Sequence, residues 1–436
     1  MLPDLIGHGL VQRADLPIPE WLFGWAAAVV LVVSFVALAV LWPQPRLEGA
    51  RWRGLPGGGA AGSRVAVGLG GAIGVGLLGV TVLSGLAGEQ IDTANFTPTF
   101  VYVIFWVGLV PASVLFGDVF RALNPWRALG RLLRLRARRP YPGRLGHWPA
   151  AAGIFAFTWM ELALEEAMPR SLAIAALVYT ALTLAAMARY GADEWSERGE
   201  AFGVYFNLFS RISPFEVRHG VLGVRPPLAG LAAFRPQAGT VGLLAVMIGT
   251  VTFDGFSAGS LWADLEPGAA DETARVAVRT LGMLAAVGAV AGFYALGVAG
   301  ARTAGGRLDA EGLRRAFAHS LVPIAVAYVM AHYLTLLVFQ GQAMGYLVSD
   351  PLGRGSDLFG TADSAIDFSL LSQNATWYLQ VGFVVAGHVA ALALAHDRAL
   401  VAYRKAKQAV RSQYWMLAVM VGFTTLALWL LASANS

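Results

Sequence analysis

Apolar residues fall in ten runs, roughly 20–42, 65–87, 99–117, 148–167, 171–188, 239–257, 280–299, 316–338, 376–396 and 414–433, separated by polar segments. A bilayer's hydrocarbon core needs about 20 mostly apolar residues per spanning helix. Trp21 to Trp42 meets that length without one charged side chain. Barrel strands are shorter, and lipid offers backbone groups no partners, so the runs predict spanning α-helices. The expected fold class is all-α and integral to the membrane, one domain over residues 1–436 built as a bundle of about ten transmembrane helices.

The segments between the runs are unequal. Two long ones, 118–147 and 189–238, read as loops on one side, and a third, 339–375, reads as a cap on the other. Within the second, Glu200 to Arg211 is apolar but too short to cross, which predicts an interfacial or re-entrant helix near 200–212. The cap mixes Asp350, Asp357, Asp363 and Asp367 with glycines and apolar anchors, and loops of that length are usually functional or disordered. The second run carries Gly68, Gly70, Gly71, Gly74, Gly76 and Gly79; its small-xxx-small spacing suits close packing, within the bundle or between two copies. A division near residue 215 leaves five helices on each side, the inverted-halves arrangement of many secondary transporters.

Charge orients the bundle. Of 32 Lys and Arg, 27 lie in five alternating segments: 43–64, Arg121 to Arg144, Arg189 to Arg235, Arg302 to Arg315, and Arg398 to Arg411. The positive-inside rule makes those segments cytoplasmic and both termini external. Composition agrees, with 57% hydrophobic and 14% charged residues and a mean hydropathy of +0.59. A formal charge of +5 then belongs to anionic headgroups rather than nucleic acid. No cysteine is present, which excludes disulfides, iron–sulfur clusters and thiolate zinc sites. Asp4 and Asp15 stand where a signal peptide has its basic region, so the first helix is expected to be an uncleaved anchor. The expected location is the cell membrane, and the expected partners are lipid and a small molecule or ion.

Ionisable residues inside spanning helices are costly and mark functional sites by default. Glu161, Asp254, His332, His388, His319 and His396 qualify. At 1.5 Å per residue, Glu161, Asp254 and His332 lie about 20, 22 and 24 Å from the cytoplasmic ends of their helices. They therefore share one level in the outer half of the bilayer. Gly255 follows Asp254 and can loosen the helix there, freeing a carbonyl beside the carboxylate. The alternative is an interfacial aspartate bonded to a hydroxyl such as Thr252. Tyr328 lies one turn below His332 on the same face. His388 sits mid-membrane, and His319 and His396 fall at the cytoplasmic boundary, within reach of water. Asp397, Arg398, Glu165 and Glu166 read as ordinary boundary residues.

This set admits a proton or ion relay, or one divalent transition metal held by His332, Asp254 and Glu161. Paired haems fit poorly: His319 and His332 are 13 residues apart, but His388 and His396 only 8, too close to span one membrane half. No nucleotide cradle, nucleophile elbow or His-Glu-x-x-His motif occurs.

Several stretches are shared with a known family: His8 to Pro19, Thr252-Phe-Asp-Gly255, Ser349-Asp-Pro-Leu-Gly353, Asp357-Leu-Phe-Gly-Thr-Ala362, and Gly387-His-Val with Ala395-His-Asp-Arg-Ala399. Together they resemble the bacterial, largely actinobacterial, membrane proteins labelled fenitrothion hydrolase. That resemblance implies hydrolysis of an apolar phosphotriester, with no catalytic residues to carry over. The residues themselves point first to transport of a proton, metal ion or small solute. A metal-assisted hydrolase and a non-catalytic or redox subunit are the alternatives.

Overall fold

The computed structural model describes residues 20–56, 60–266, 271–306 and 308–435; the His8 to Pro19 stretch lies outside them. The chain enters through α1 (Glu20–Leu41), a short strand β1 (Arg53–Gly54) and α2 (Ala60–Ala87). The next apolar run, Phe96–Phe116, is one segment in three parts: α3 (Phe96–Pro98), a π-helix (Thr99–Gly108) and α4 (Leu109–Phe116). Two short helices, α5 (Val119–Leu123) and α6 (Pro125–Leu132), lead to α7 (Trp148–Leu162) and α8 (Pro169–Tyr190). Then come α9 (Ala192–Arg198), α10 (Ala201–Ser210), a hairpin of β2 (Phe215–Arg218) and β3 (Val221–Val224), and α11 (Ala229–Ala232). The second half holds α12 (Thr240–Ser257), α13 (Ser260–Ala263), α14 (Glu272–Arg302), α15 (Ala310–Phe317), α16 (Leu321–His332), α17 (Leu334–Phe339) and α18 (Met344–Ser349). It ends with α19 (Gln373–Ala402) and α20 (Ala406–Asn435).

Among the described residues seven helices are long and apolar enough to cross a bilayer, or eight if the bent pair 310–332 and 334–349 is one span. This is the architecture of an all-α, multi-pass membrane protein. Two predicted runs differ in form. The fourth stops at Leu162 instead of 167, because the chain turns at Glu165, which has a left-handed φ of 51°. Arg279 fixes that turn by pairing with Glu165 and Glu266 and donating to the Leu162 carbonyl. The eighth bends by 60° between His332 and Leu334 and continues as helix to Ser349, so the first part of the expected cap is an extension of that helix.

Loops gather on two faces. On one, β1 and β2 flank β3 in an antiparallel sheet that joins the first and third basic segments. Nothing in the apolar pattern announced this small sheet. Asn207 donates to Asp118 at 2.7 Å, and Arg398 donates to the Ala232 carbonyl at 2.6 Å and pairs with Glu48. Tyr403 Oη of the fifth segment donates at 2.8 Å to the carbonyl of Ala301, beside Arg302 of the fourth. All five basic segments thereby meet on one side. On the other side Glu89 N–H donates to Leu352, Phe96 N–H to Pro351, and Arg170 N–H to Gln90.

Gly70, Gly71, Gly74 and Gly85 of α2 serve contacts within the chain, whereas Gly68, Gly76 and Gly79 face open space. A Cβ at Gly74 would lie 1.7 Å from the Leu123 carbonyl oxygen, and one at Gly85 would lie 2.4 Å from that of Pro169. The helix thus crosses α8 closely at Gly85 and rests on the α5–α6 turn at Gly74.

The apolar segment at 200–212 forms a helix buried among its neighbours. Every residue of α10 except Gly203 and Asn207 is buried, and it packs against α4, α5, α7 and α16. Both flanks return to the basic face, α9 through its ion pairs to α6 and β2 through the sheet. The first turn of α10 is capped by Glu200, whose carboxylate accepts the N–H groups of Phe202 and Gly203.

Candidate functional site

Asp254 lies near the end of α12, and its carboxylate is buried. Gly255 does not interrupt α12, which runs unbroken to Ser257. The interruption is in the facing helix instead. His332 closes α16, Tyr333 leaves helical geometry with φ −97° and ψ 16°, and Leu334 starts α17. Across this break His332 Nε2 meets Asp254 Oδ2 at 2.9 Å, and Tyr333 Oη donates to the same oxygen at 2.6 Å. Thr252 bonds the Ile248 carbonyl of its own helix, and the hydroxyl that reaches Asp254 is that of Tyr333.

Breaks of this kind in membrane helices occur where the freed backbone is buried in protein or lines a cavity. Here a small pocket of about 20 Å³ adjoins the break, lined by Thr252, Gly255, Tyr328 and His332 among others. That is room for one water molecule. Tyr328, expected on the His332 face, thus shares a pocket with it.

Glu161 is the third predicted member. It lies next to the end of α7 and interacts electrostatically with Asp254 and with Tyr102, Tyr205 and Tyr333. Its Oε2 is buried without a hydrogen-bond partner, as are Tyr205 Oη and Trp106 Nε1. Trp106 stacks on Tyr205 with ring centroids 4.5 Å apart. The π-helix supplies Tyr102 and Trp106, and α10 supplies Tyr205; π-helical turns are frequent at functional sites. Of the three predicted residues, His332 and Asp254 are thus in direct contact, and Glu161 acts on Asp254 through charge.

It is not assembled as a metal centre. Asp254 Oδ2 is occupied by two protein donors, and among the described residues no group of three or more His, Asp or Glu side chains is placed to hold a metal ion. The chemistry available is proton binding at a carboxylate–imidazole–phenol cluster with an unsatisfied carboxylate beside it.

The remaining histidines separate. His388 is fully buried on α19, with Nδ1 2.7 Å from the Val384 carbonyl oxygen and Nε2 unpartnered. His319 and His396 are also buried, not solvated as their boundary positions implied. His396 Nε2 lies 3.0 Å from the Trp42 carbonyl oxygen and Nδ1 3.4 Å from Gln413 Nε2, which ties α1, α19 and α20. His319 faces Arg398.

Sequence reasoning passed over four groups. Tyr333 carried no signal beside its neighbour His332. Asp397, read as a boundary residue, is buried and accepts Trp42 Nε1 and the backbone N–H groups of Arg46, Leu47 and Glu48. Glu200 is fully buried and accepts Asn124 Nδ2 at 2.8 Å and Tyr179 Oη at 2.6 Å besides its two capping amides. Arg127 is also buried, held by Asp193. Burial, then repulsion from Arg121 and Arg131, lowers the pKa of its guanidinium.

Comparison of the chain with protein-family models, with curated proteins and with solved structures finds no match in any of the three.

Proposed function

We propose that this protein is a proton-coupled transporter of the cell membrane, with Asp254, His332 and Tyr333 as its proton site. The observation that carries the reading is the convergence of two consecutive residues of a broken helix on one buried carboxylate oxygen. Discontinuous helices around a mid-membrane polar site are the recurring device of secondary transporters. A proton on Asp254 removes the charge that holds both donors, and so biases the bend at residue 333 between two arrangements. Glu161 adds a second carboxylate close enough for one protonation to influence the other. His388, with a free ring nitrogen, is the relay group toward the basic face; His319 and His396 serve packing.

In this reading ten segments cross the bilayer, the basic face is cytoplasmic and both termini are external. Support comes from the gathering of all five basic segments on one side and the alternation of the loops between two faces.

The test is a pH jump applied to proteoliposomes adsorbed on a solid-supported membrane. The wild type gives a transient charge displacement as the site takes up protons. Asp254→Asn abolishes it, and His332→Ala reduces it. Equal displacement from Asp254→Asn and wild type would refute the reading.

Hydrolysis of an apolar phosphotriester is the rival, favoured by one observation: the resembling stretch Thr252 to Gly255 contains the site's own carboxylate. Release of chromophore from a chromogenic phosphotriester by the purified protein, lost in Asp254→Asn, would establish it instead.

A further inference from the structure

A cavity of about 770 Å³ lies among α2, the π-helix, α4, α6, α7 and α8, apart from the Asp254 cluster. Its size is within the range of small-molecule sites, roughly 300–1,000 Å³. None of its lining side chains is charged. Its hydroxyls are used within the protein, Thr81 on Leu77, Tyr179 on Glu200 and Thr183 on Tyr179, which leaves the indole N–H of Trp195 as an unpartnered donor on the lining residues. Water has few partners in such a space, so the occupant is apolar.

Shape narrows the class. Along α8 the wall runs from Leu172 to Ala186, which is about 21 Å of helix, some two thirds of the roughly 30 Å hydrocarbon core. The close crossing of α2 and α8 at Gly85 seals one end. Toward the basic face α2 turns its contacts to the α5–α6 turn and α8 turns to α6 and α9, leaving a wedge between them. Val178 and Leu182 stand on its rim at 53% and 65% exposure, where bilayer chains pass.

A second observation identifies the head of the occupant. A cleft of about 570 Å³ on the basic face is lined by Arg131, Arg134, Arg136 and Tyr190. Its acids are already neutralised, Asp193 by Arg127 and Arg131, and Glu194 by Arg198. Arg134 and Arg136 take part in no ion pair among the described residues. Ala186 lines the cavity and Tyr190 the cleft, one turn apart on α8; Trp126 and Gly130 repeat that spacing on α6.

We infer that the cavity and the cleft form one site for a long alkyl chain bearing an anionic head, the chain along α8 and the head at Arg134 and Arg136. A free fatty acid and an anionic phospholipid share this chemistry. The inference stands independently of the proton site.

Photo-crosslinking of the full-length protein in proteoliposomes with diazirine-labelled palmitate tests it. Label is expected on peptides from α8 and the π-helix, and unlabelled palmitate or phosphatidylglycerol, whichever is the natural source, competes at least tenfold better than phosphatidylcholine. Ala176→Trp, which fills the cavity from α8, lowers labelling at least tenfold and leaves the pH-jump current intact. Leu182→Trp at the rim does the same job should Ala176→Trp not yield a monodisperse protein. Replacing Arg134 and Arg136 by Glu removes the preference for anionic competitors. Labelling spread evenly over lipid-exposed helices such as α1, or undiminished in both cavity variants, overturns the chain site. Equal competition by phosphatidylcholine overturns the anionic head.

Discussion

His332 and Tyr333, neighbours in sequence, converge on a single oxygen of Asp254 at 2.9 and 2.6 Å. Adjacent residues of a regular helix do not face the same way. The convergence therefore requires the break, and the break is held by the convergence. Asp254→Asn weakens both contacts at once. Because the chain has no cysteine, spin labels at Arg315→Cys and Val348→Cys report the bend without background. Asp254→Asn is expected to shift or broaden their distance distribution toward a straighter helix; an unchanged distribution means the bend is set by packing alone.

Tyr333→Phe isolates one of the two contacts. A hydrogen bond to a charged acceptor contributes about 1.5–3 kcal/mol, so thermal unfolding in detergent, followed by tryptophan fluorescence, should show a loss of that order. His332→Ala combined with Tyr333→Phe is expected to be non-additive, since both donors share one oxygen.

Glu200 gives a contrast between a carboxylate's charge and its geometry. Four donors reach it, from the N-cap of α6, from α8 and from the first turn of α10. Glu200→Ala leaves them without an acceptor, and the expected cost is about 3 kcal/mol or more. Glu200→Gln keeps the side chain's shape and one acceptor oxygen, so it should retain a measurable part of that stability. Equal melting of both variants with wild type would mean α10 is held by its apolar face alone.

Much of the bundle was legible because membrane burial writes itself as long apolar runs: among the described residues seven of the ten predicted runs return as helices long and apolar enough to cross, and an eighth returns as the bent pair. The pairing of Asp254 with His332 was foreshadowed because helical rise converts residue number to height along neighbouring helices. The break at Tyr333 was not, since neither Gly nor Pro stands there; side-chain pairing to a helix 78 residues away creates it. Gly255, the conspicuous punctuation, sits inside an intact helix. The three-stranded sheet was illegible for a similar reason: strands of two to four residues carry too little period to register. Asp397 was misread because its position beside a basic loop implied solvent, whereas the loop folds back over it.

That fold-back is testable. The Asp397 carboxylate gathers one indole and three backbone N–H groups from residues 42–48, pinning the first basic loop to the end of α19. Asp397→Ala strands these donors, at an expected cost of about 2–4 kcal/mol. Limited proteolysis is then expected to cut between Arg46 and Arg53 faster than in wild type. An unchanged cleavage rate in the variant would show that the β1–β3 pairing holds the loop without it.

His147 supplies a pH dependence at the basic face. Its ring is buried just before α7, with Nδ1 3.0 Å from Thr240 Oγ1, and that oxygen also accepts the Gln237 N–H. A hydroxyl that accepts from Gln237 has its own proton free for Nδ1, which assigns the neutral ring with hydrogen on Nε2. Burial first, then the charges of Arg211 and Arg198, lower its pKa from 6.5 to about 4. The unfolded chain therefore binds a proton more readily than the folded protein between those values. Its contribution is complete above about pH 6.5 and is lost as pH falls through about 4, a loss of roughly 3 kcal/mol by linkage. His147→Gln cannot titrate, so between pH 7.5 and 4 its melting temperature should fall less than that of the wild type. Parallel decline of the two proteins would assign the acid sensitivity to other groups.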